Sequence, residues 1–312
     1  MKKSVITKDI HAYSRSAEIT NVGVALSGGS DSVCLLMALL EADVKVKALH
    51  CNFNLRGDES LRDRDFVINL CRKFSIELTV KEFDTHNYIK QNKNMSIEMA
   101  CRKLRYDWFL KLWESGEIER IVLGHNADDN IETFFINMLR GSGTAGLKGM
   151  VYDNGYLWRP LLKFHKESIL KFLEDRNLPY VTDSTNLDSD YRRNFLRNKV
   201  IPLIKEEWKG FEKAMDTTID YIYGENKIVE TRVAEILNNN ISSLPISIIK
   251  KFEAPELLIR RFIEPLNPFT TTASEIMNAI RAEKPHAPVW ELPGGTVTIR
   301  KHKLILLNNK DK

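Results

Sequence analysis

The run Val22-Gly-Val-Ala-Leu26-Ser27-Gly-Gly-Ser-Asp-Ser32-Val33-Cys-Leu-Leu-Met-Ala-Leu-Leu40 sets the architecture of this chain. A short apolar stretch of strand length ends in a glycine-serine cluster, and an apolar segment of helical length follows with no turn signal. The paired glycines let the backbone turn tightly and bring its amides close to an anion. Ser27, Ser30 and Ser32 add hydroxyl donors, and the first turn of the following helix presents unpaired N–H groups at its positive dipole end. Together Ser27, Gly28, Gly29, Ser30, Asp31 and Ser32 form a cradle suited to a pyrophosphate. Asp31 is the odd member, because a carboxylate repels phosphate unless a metal bridges the two. Mg²⁺ held by Asp31 is the economical resolution.

Outward from this unit, strands alternate with helices. Val46–Cys51, Ile76–Phe83 and Ile121–Gly124 read as further strands. Phe66, Val67, Leu70 and Phe74 form one helical stripe, and Ile97, Cys101, Leu104, Trp108 and Leu112 a second. Ile131, Phe134, Phe135, Met138 and Leu139 form a third. Strands separated by helical crossovers predict an α/β fold, a Rossmann-like parallel sheet with helices on both faces. Ligands of such sheets bind at the carboxyl ends of the strands, here just after Leu26, Leu49 and Leu123. From about Lys199 the pattern becomes helical and is punctuated by Pro245, Pro255, Pro265 and Pro268. It closes with alternating runs around Gly294-Gly295 that predict a β-hairpin. The boundary is expected between 205 and 225, giving a catalytic domain at 1–215 and a smaller helical and hairpin domain at 216–312.

The 312 residues carry 46 Lys+Arg against 42 Asp+Glu, a net charge of +4. At 43% hydrophobic and 28% charged, the composition excludes a disordered or collagen-like chain. No apolar run approaches a membrane span, and Met1-Lys2-Lys3 with the polar residues after it lacks the apolar stretch expected of a signal peptide. Cys34, Cys51, Cys71 and Cys101 form no CxxC or zinc-type pair, so reduced thiols in the cytoplasm are expected.

The second chemical constellation follows the Ile121-Val-Leu strand: Gly124-His125-Asn-Ala-Asp128-Asp129-Asn-Ile-Glu132-Thr133. His125, Asp128, Asp129 and Glu132 fall at i, i+3, i+4 and i+7, one face of a helix whose opposite face is apolar. Three carboxylates on one face repel each other unless a cation, Mg²⁺ or an ammonium group, sits among them; a solvated acidic face is the alternative. Upstream, Glu98, Arg102 and Arg105 share a face. Glu98 and Arg102 suit a structural ion pair, whereas Arg105, followed by Tyr106, suits a bidentate grip on a substrate carboxylate. Carboxylate and ammonium binders side by side describe a pocket for a free amino acid. There is no GxxxxGK(S/T) phosphate loop. The formal GxGxxG at Gly141, Gly143 and Gly146 follows a helix, the wrong context for a dinucleotide fingerprint.

The hexapeptide at 27–32 resembles the SGGxDS loop of the PP-loop ATP pyrophosphatases, which cleave ATP between the α and β phosphates while adenylating a carbonyl-type oxygen. Within that superfamily the chain resembles the tRNA(Ile)-lysidine synthases. The resemblance rests on the phosphate loop, on His50-Cys-Asn-Phe-Asn-Leu-Arg56, Arg102-Lys-Leu-Arg-Tyr106 and His125–Thr133, and on Arg140–Met150, Arg159-Pro-Leu-Leu162, residues 183–194 with Arg197 and Pro202, and the Leu292-Pro-Gly-Gly hairpin. It implies a ligase that adenylates the C2 oxygen of the wobble cytidine in a CAU-anticodon tRNA(Ile), releasing pyrophosphate. The amine of free L-lysine then displaces AMP to give lysidine, and codon recognition changes from AUG to AUA. It assigns Ser27–Ser32 to pyrophosphate and Asp31 to the metal, with His50, Asn52 and Gly124 near the nucleotide. Arg105, Asp129 and Glu132 would hold lysine, supported by Asp128 or His125, and one carboxylate would serve as general base. It further implies a cytoplasmic enzyme and a homodimer.

Phe53, Asn54 and Asn130 depart from the family pattern in details of nucleotide packing. Many members carry a further C-terminal domain, so a chain stopping at Lys312 reads either as a compact version or as one without that domain. The stretch 191–205 holds Arg192, Arg193, Arg197, Lys199 and Lys205 with Tyr191 and Phe195 between them, a composition suited to RNA phosphates and base stacking. Arg193 and Arg197 are expected on pyrophosphate or the tRNA backbone. Competing readings are a tRNA thiolase, which typically needs catalytic or cluster-binding cysteines, a ligase acting on a small carboxylate, and a non-catalytic RNA-binding module, which has no need of Asp31 and the acidic helix.

Overall fold

A computed structural model describes residues 3–55, 57–92, 95–182, 192–237, 242–269, 271–282 and 288–308. Arg56 and most of the 183–194 motif, Tyr191 included, lie outside the described residues. The chain forms two compact units, Met1–Tyr223 and Gly224–Lys312.

The first unit is built on a five-stranded sheet in the order β3-β2-β1-β4-β5, parallel throughout. Strand β1 is Asn21–Ala25, β2 is Lys45–Asn52, β3 is Glu77–Glu82, β4 is Arg120–Val122 and β5 is Leu157–Trp158. Helices connect them: α2 (Ser30–Glu41) and α3 (Asp58–Lys73) on the way out to β3, α4 (Thr85–Gln91) and α5 (Ile97–Glu114) on the return, and α6 (Ala127–Leu139) with the short α7 (Thr144–Leu147) between β4 and β5. The N-terminal helix α1 (Val5–Ser16) and the short β5 carry no strong sequence signal and complete the layers. Because the chain runs outward on one side of β1 and then on the other, β1 and β4 flank a topological switch point, where such sheets open a crevice.

Helix α2 is the central buried element. Val33, Cys34, Leu35, Leu36 and Leu39 are fully buried, packed with Ile6 and Ile10 of α1 and with Ile169 and Phe172 of α8 (Lys166–Glu174). Each such aliphatic side chain contributes about 1.5–3 kcal/mol by leaving water. A helix apolar on all sides is held from all sides, so the loop in front of it stands on a rigid base. The expected stripe on α5 is shifted: Phe109 and Ala100 are its buried residues, while Ile97 is exposed.

The first unit continues through α9 (Arg192–Phe195), a π-helical turn at Leu196–Val200, α10 (Ile201–Glu207) and the start of α11 (Phe211–Leu237). In the second unit, α12 (Ile246–Lys251), α13 (Pro255–Ile263) and α14 (Thr272–Arg281) pack around Ile259, Ile263, Ile276 and Val297. Pro255 occupies the first turn of α13, where a missing N–H costs nothing. The expected hairpin is present as β7 (Val289–Leu292) and β8 (Gly295–Arg300), but it is half of a larger sheet. Strands β9 (Lys303–Asn308) and β6 (Ser243–Pro245) complete four antiparallel strands in the order β6-β9-β8-β7. Gly294 donates its amide to Leu266 O at 3.0 Å, and a Cβ there would lie 2.8 Å from Leu266 Cα, so the turn accepts only glycine. No helix among the described residues is long and apolar enough to cross a membrane.

Candidate active site

The phosphate loop closes on itself through its serines. Ser32 Oγ donates to Gly29 O at 2.9 Å and accepts from the Gly28 amide at 3.2 Å, while Ser27 Oγ lies 3.1 Å from Ser32 Oγ. Gly28 has φ +93°, which an L side chain rarely adopts. Gly124, at the end of β4, sits against this loop: a Cβ on it would stand 3.2 Å from the Asp31 carbonyl carbon and 3.3 Å from the Ser32 amide nitrogen.

Two cavities meet at Asp31. The first, about 450 Å³, lies over the carboxyl ends of β1, β2 and β4 and gathers Ser27, Asp31, Ser32, Arg105, Gly124, His125 and Asp129. The second, about 260 Å³, is lined by Asp31, Asn126, Asp128, Glu132, Lys166, Arg197 and Lys205. Strand alternation directs Leu49 and Cys51 into the first cavity. His50 and Asn52 do not line it: both are buried, with His50 Nδ1 donating to Leu26 O at 2.8 Å and Asn52 Oδ1 accepting from the Asn54 amide. Burial pushes His50 below its usual pKa.

The acidic constellation differs from the helical-face expectation in three respects. First, α6 begins at Ala127 behind an Asn126 cap, so His125 precedes the helix and is not on its face. Its Nδ1 accepts from Arg159 Nε at 3.2 Å. Burial, reinforced by Arg159, pushes it down to about 3. His125 is therefore a neutral imidazole carrying its proton on Nε2. Second, Asp129 closes a capping box, accepting from the Asn126 amide at 3.0 Å while Asn126 Oδ1 accepts from the Asp129 amide at 3.0 Å. Third, the acids do not face outward together. Glu132 is 1% exposed, as buried as its neighbour Ile131 on the apolar side.

The cation between Asp129 and Glu132 is the chain's own arginine. Arg197 donates to Glu132 through Nε at 2.6 Å and Nη2 at 3.0 Å, and reaches Asp129 at 2.9 Å. Arg193 Nε adds a second contact to Glu132 at 3.2 Å and its Nη2 donates to Thr133. Burial raises the Glu132 pKa against the opposing pull of Arg197. Asp128 points elsewhere, accepting the Lys166 amide at 2.7 Å beside His165 at 3.5 Å and Lys205 at 3.4 Å. Burial alone would raise Asp128, but these three donors outweigh it and hold its carboxyl well below the usual range. His165, clamped between Asp128 and Asp216, is pushed up to about 10 and is an imidazolium. Asp128, His165 and Glu212 come close enough to chelate a metal, yet the Lys205 ammonium already bonds both Asp128 and Glu212.

Lys166 is the functional candidate that sequence reading missed. Its Nζ donates to Ser30 Oγ and to Asp31 Oδ1, each at 2.7 Å. A signal was available: a lysine in the first turn of a helix opposes the dipole and needs an acidic partner. Of the upstream cluster, Arg105 reaches the first cavity and lies 5.4 Å from the Phe53 ring centroid, while Arg102 stacks over Tyr106 at 4.8 Å and Glu98 is exposed.

Residues 2–204 match the PP-loop domain family. The chain belongs to the PP-loop family. Among curated PP-loop relatives, the tRNA(Ile)-lysidine synthase of Bacteroides thetaiotaomicron is 37% identical over 264 residues, which cover 83% of this chain and 61% of that protein. That of Porphyromonas gingivalis strain W83 is 40% identical over 246 residues, covering 78% and 54%. The chain thus matches a little over half the length of these relatives. The solved structure of the U34-tRNA thiolase NcsA from Methanococcus maripaludis superposes with a TM-score of 0.57 at 17% identity, covering 70% of this chain and 78% of that one, and shares the fold.

In this PP-loop site the residues fit a Mg²⁺ ion sparingly. Asp31 Oδ1 is taken by Lys166 and by Asn126 Nδ2 at 3.2 Å, and both oxygens of Asp129 and Glu132 are engaged. Among the described residues nothing bonds Asp31 Oδ2, which suffices for an ion that keeps several waters and binds mainly through substrate phosphates.

Proposed function

We propose that this chain is a carbon–nitrogen ligase that makes lysidine: it uses ATP to join free L-lysine to C2 of the wobble cytidine of a CAU-anticodon tRNA(Ile). The observation that carries the reading is the cavity in which a phosphate loop, an arginine and an acid at a helix start converge, Ser27, Asp31 and Ser32 with Arg105 and Asp129. The relatives described as tRNA(Ile)-lysidine synthases support it.

In this reading the loop amides, the serine hydroxyls and the start of α2 hold the β and γ phosphates, and Lys166 offsets their charge. Asp31 would hold Mg²⁺, which when bound would supply positive charge against the leaving pyrophosphate. His125, neutral above about pH 3, offers an Nε2–H donor in the cavity. The C2 oxygen attacks the α phosphorus and pyrophosphate leaves. Lysine, its carboxylate on Arg105, then attacks C2 through an amine that must first lose a proton, and AMP departs with the oxygen. Asp129, which lines the first cavity whereas Glu132 lines the second, is the general base in this scheme, through Oδ1 once Arg197 Nη2 releases it. Reaction at C2 requires the cytosine to leave its stack.

The test combines ATP, Mg²⁺, labelled lysine and the CAU-anticodon tRNA, scoring label in RNA and release of AMP with pyrophosphate. Sulfur transfer without lysine incorporation would reverse the reading. The cysteines argue against that outcome: burial raises Cys51 to about 12 and Cys71 to about 11, so neither is a thiolate at neutral pH. Asp129→Asn keeps a cap acceptor but removes the base, and full activity in that variant would exclude the assigned role.

A further inference from the structure

Helix α6 leaves the acidic site and ends in a groove of about 560 Å³ whose lining includes Phe135, Met138, Leu139, Arg140, Arg192 and Phe195. Leu139 is 71% exposed and Phe195 50% exposed. Among the described residues no carboxylate lines the groove. Arg140 and Arg192 have no acidic partner among the described residues, in contrast to Arg193 and Arg197, which are spent on Glu132 and Asp129. An apolar, aromatic-bearing trough flanked by two guanidinium groups is complementary to an unpaired base with phosphates on either side.

We propose that this groove is a stacking subsite for an unpaired nucleobase of the RNA substrate, with Phe195 as the stacking face and Arg140 and Arg192 on the neighbouring phosphates. The inference rests on the proposed function and adds to it a place where the strand is held beside the reactive base. Two further observations point the same way. Asp129 and Leu139 are ten residues apart on one helix, about 15 Å, a distance that a short single strand covers between the two sites. Phe195 is followed at once by the π-helical turn Leu196–Val200, a device concentrated at functional sites. That turn places Phe195 outside while Leu196 is buried.

The experiment measures binding of the CAU-anticodon tRNA(Ile) transcript and of a single-stranded oligouridylate to the full chain and to Phe195→Ala, Phe195→Leu and Phe195→Trp, with ATP affinity as a folding control. Phe195→Ala and Phe195→Leu are expected to weaken both RNAs about ten-fold at unchanged ATP affinity. Phe195→Trp should keep wild-type affinity and show additional fluorescence quenching when RNA is added. Wild-type RNA affinity in Phe195→Ala, or in Phe195→Leu, overturns the proposal. If in addition Phe195→Ala abolishes self-association in sedimentation, the groove belongs to a second copy of the chain instead. Phe195-dependent RNA binding by a wild-type chain that never incorporates lysine would uphold the groove and sink the ligase reading, so the two failures are distinguishable.

Discussion

Replacing Arg197 by alanine leaves Glu132 buried with most of its charge unbalanced. Removing one partner of a buried ion pair costs about 3–5 kcal/mol. Two features reduce the figure here: the Arg197 side chain is 38% exposed, and Arg193 remains 3.2 Å from Glu132 Oε2. About 2–3 kcal/mol is therefore expected, a large share of the stability of an ordinary domain. Urea unfolding of wild type, Arg197→Ala, Glu132→Gln and the double variant gives the value and the coupling. The double variant should cost at least about 1.5 kcal/mol less than the sum of the singles. The pH dependence adds a second check. With Arg197 gone, the folded-state pKa of Glu132 rises further above its unfolded value, so the folded variant takes up a proton that the unfolded chain does not. Its deficit relative to wild type should narrow as pH falls from 7 toward 5. Additive single costs, or a deficit independent of pH, would refute the claim that Arg197 is the counter-charge of Glu132.

Gly124→Ala forces a Cβ against backbone atoms of Asp31 and Ser32 at 3.2–3.3 Å, so the loop must shift by a few tenths of an ångström. ATP affinity, measured by calorimetry, should fall while urea stability changes little. Lys166→Met should slow ATP-dependent pyrophosphate release by about 10²-fold, the usual scale for one electrostatic contact at a reacting phosphate, with Lys166→Arg recovering most of it. The two perturbed histidines should act at opposite ends of the pH range. His165, raised to about 10, contributes stability that is complete below about pH 6.5 and fades as pH rises toward 10, so the deficit of His165→Gln should vanish in alkali. His125, lowered to about 3, costs stability as pH falls from 6.5 toward 3, and His125→Gln should flatten the acid limb of the thermal unfolding profile.

The sheet, the phosphate loop and the location of the cavity were readable from residues 22–40 and from the apolar runs that repeat their pattern, because strand and helix periods are local properties. The α6 acids were readable as a cluster for the same reason. What neutralises them was not: Arg193 and Arg197 lie more than sixty residues away and meet Glu132 only through tertiary packing. Hence a pair of acids expected to hold an amine and a pair of arginines expected to hold phosphate are found holding each other. The basic stretch is likewise divided, with Arg193, Arg197 and Lys205 engaged by acids and Arg192 and Lys199 exposed. His125 left the helical face because Asn126 is the better cap, a competition between side chains that periodicity does not register. The hairpin was legible from its turn, whereas β6, three residues long and about forty-five residues upstream of β7, was not.

The ring of contacts joining Arg193 and Arg197 to Asp129 and Glu132 makes this corner of the molecule a site already neutralised rather than an empty electrostatic trap. A displaced guanidinium stays tethered to the chain, so a cation added there would raise the local positive charge by one. A guanidinium pushed off its carboxylate is left without a counter-charge, and a cation and an anion together are therefore accommodated at lower cost than either alone.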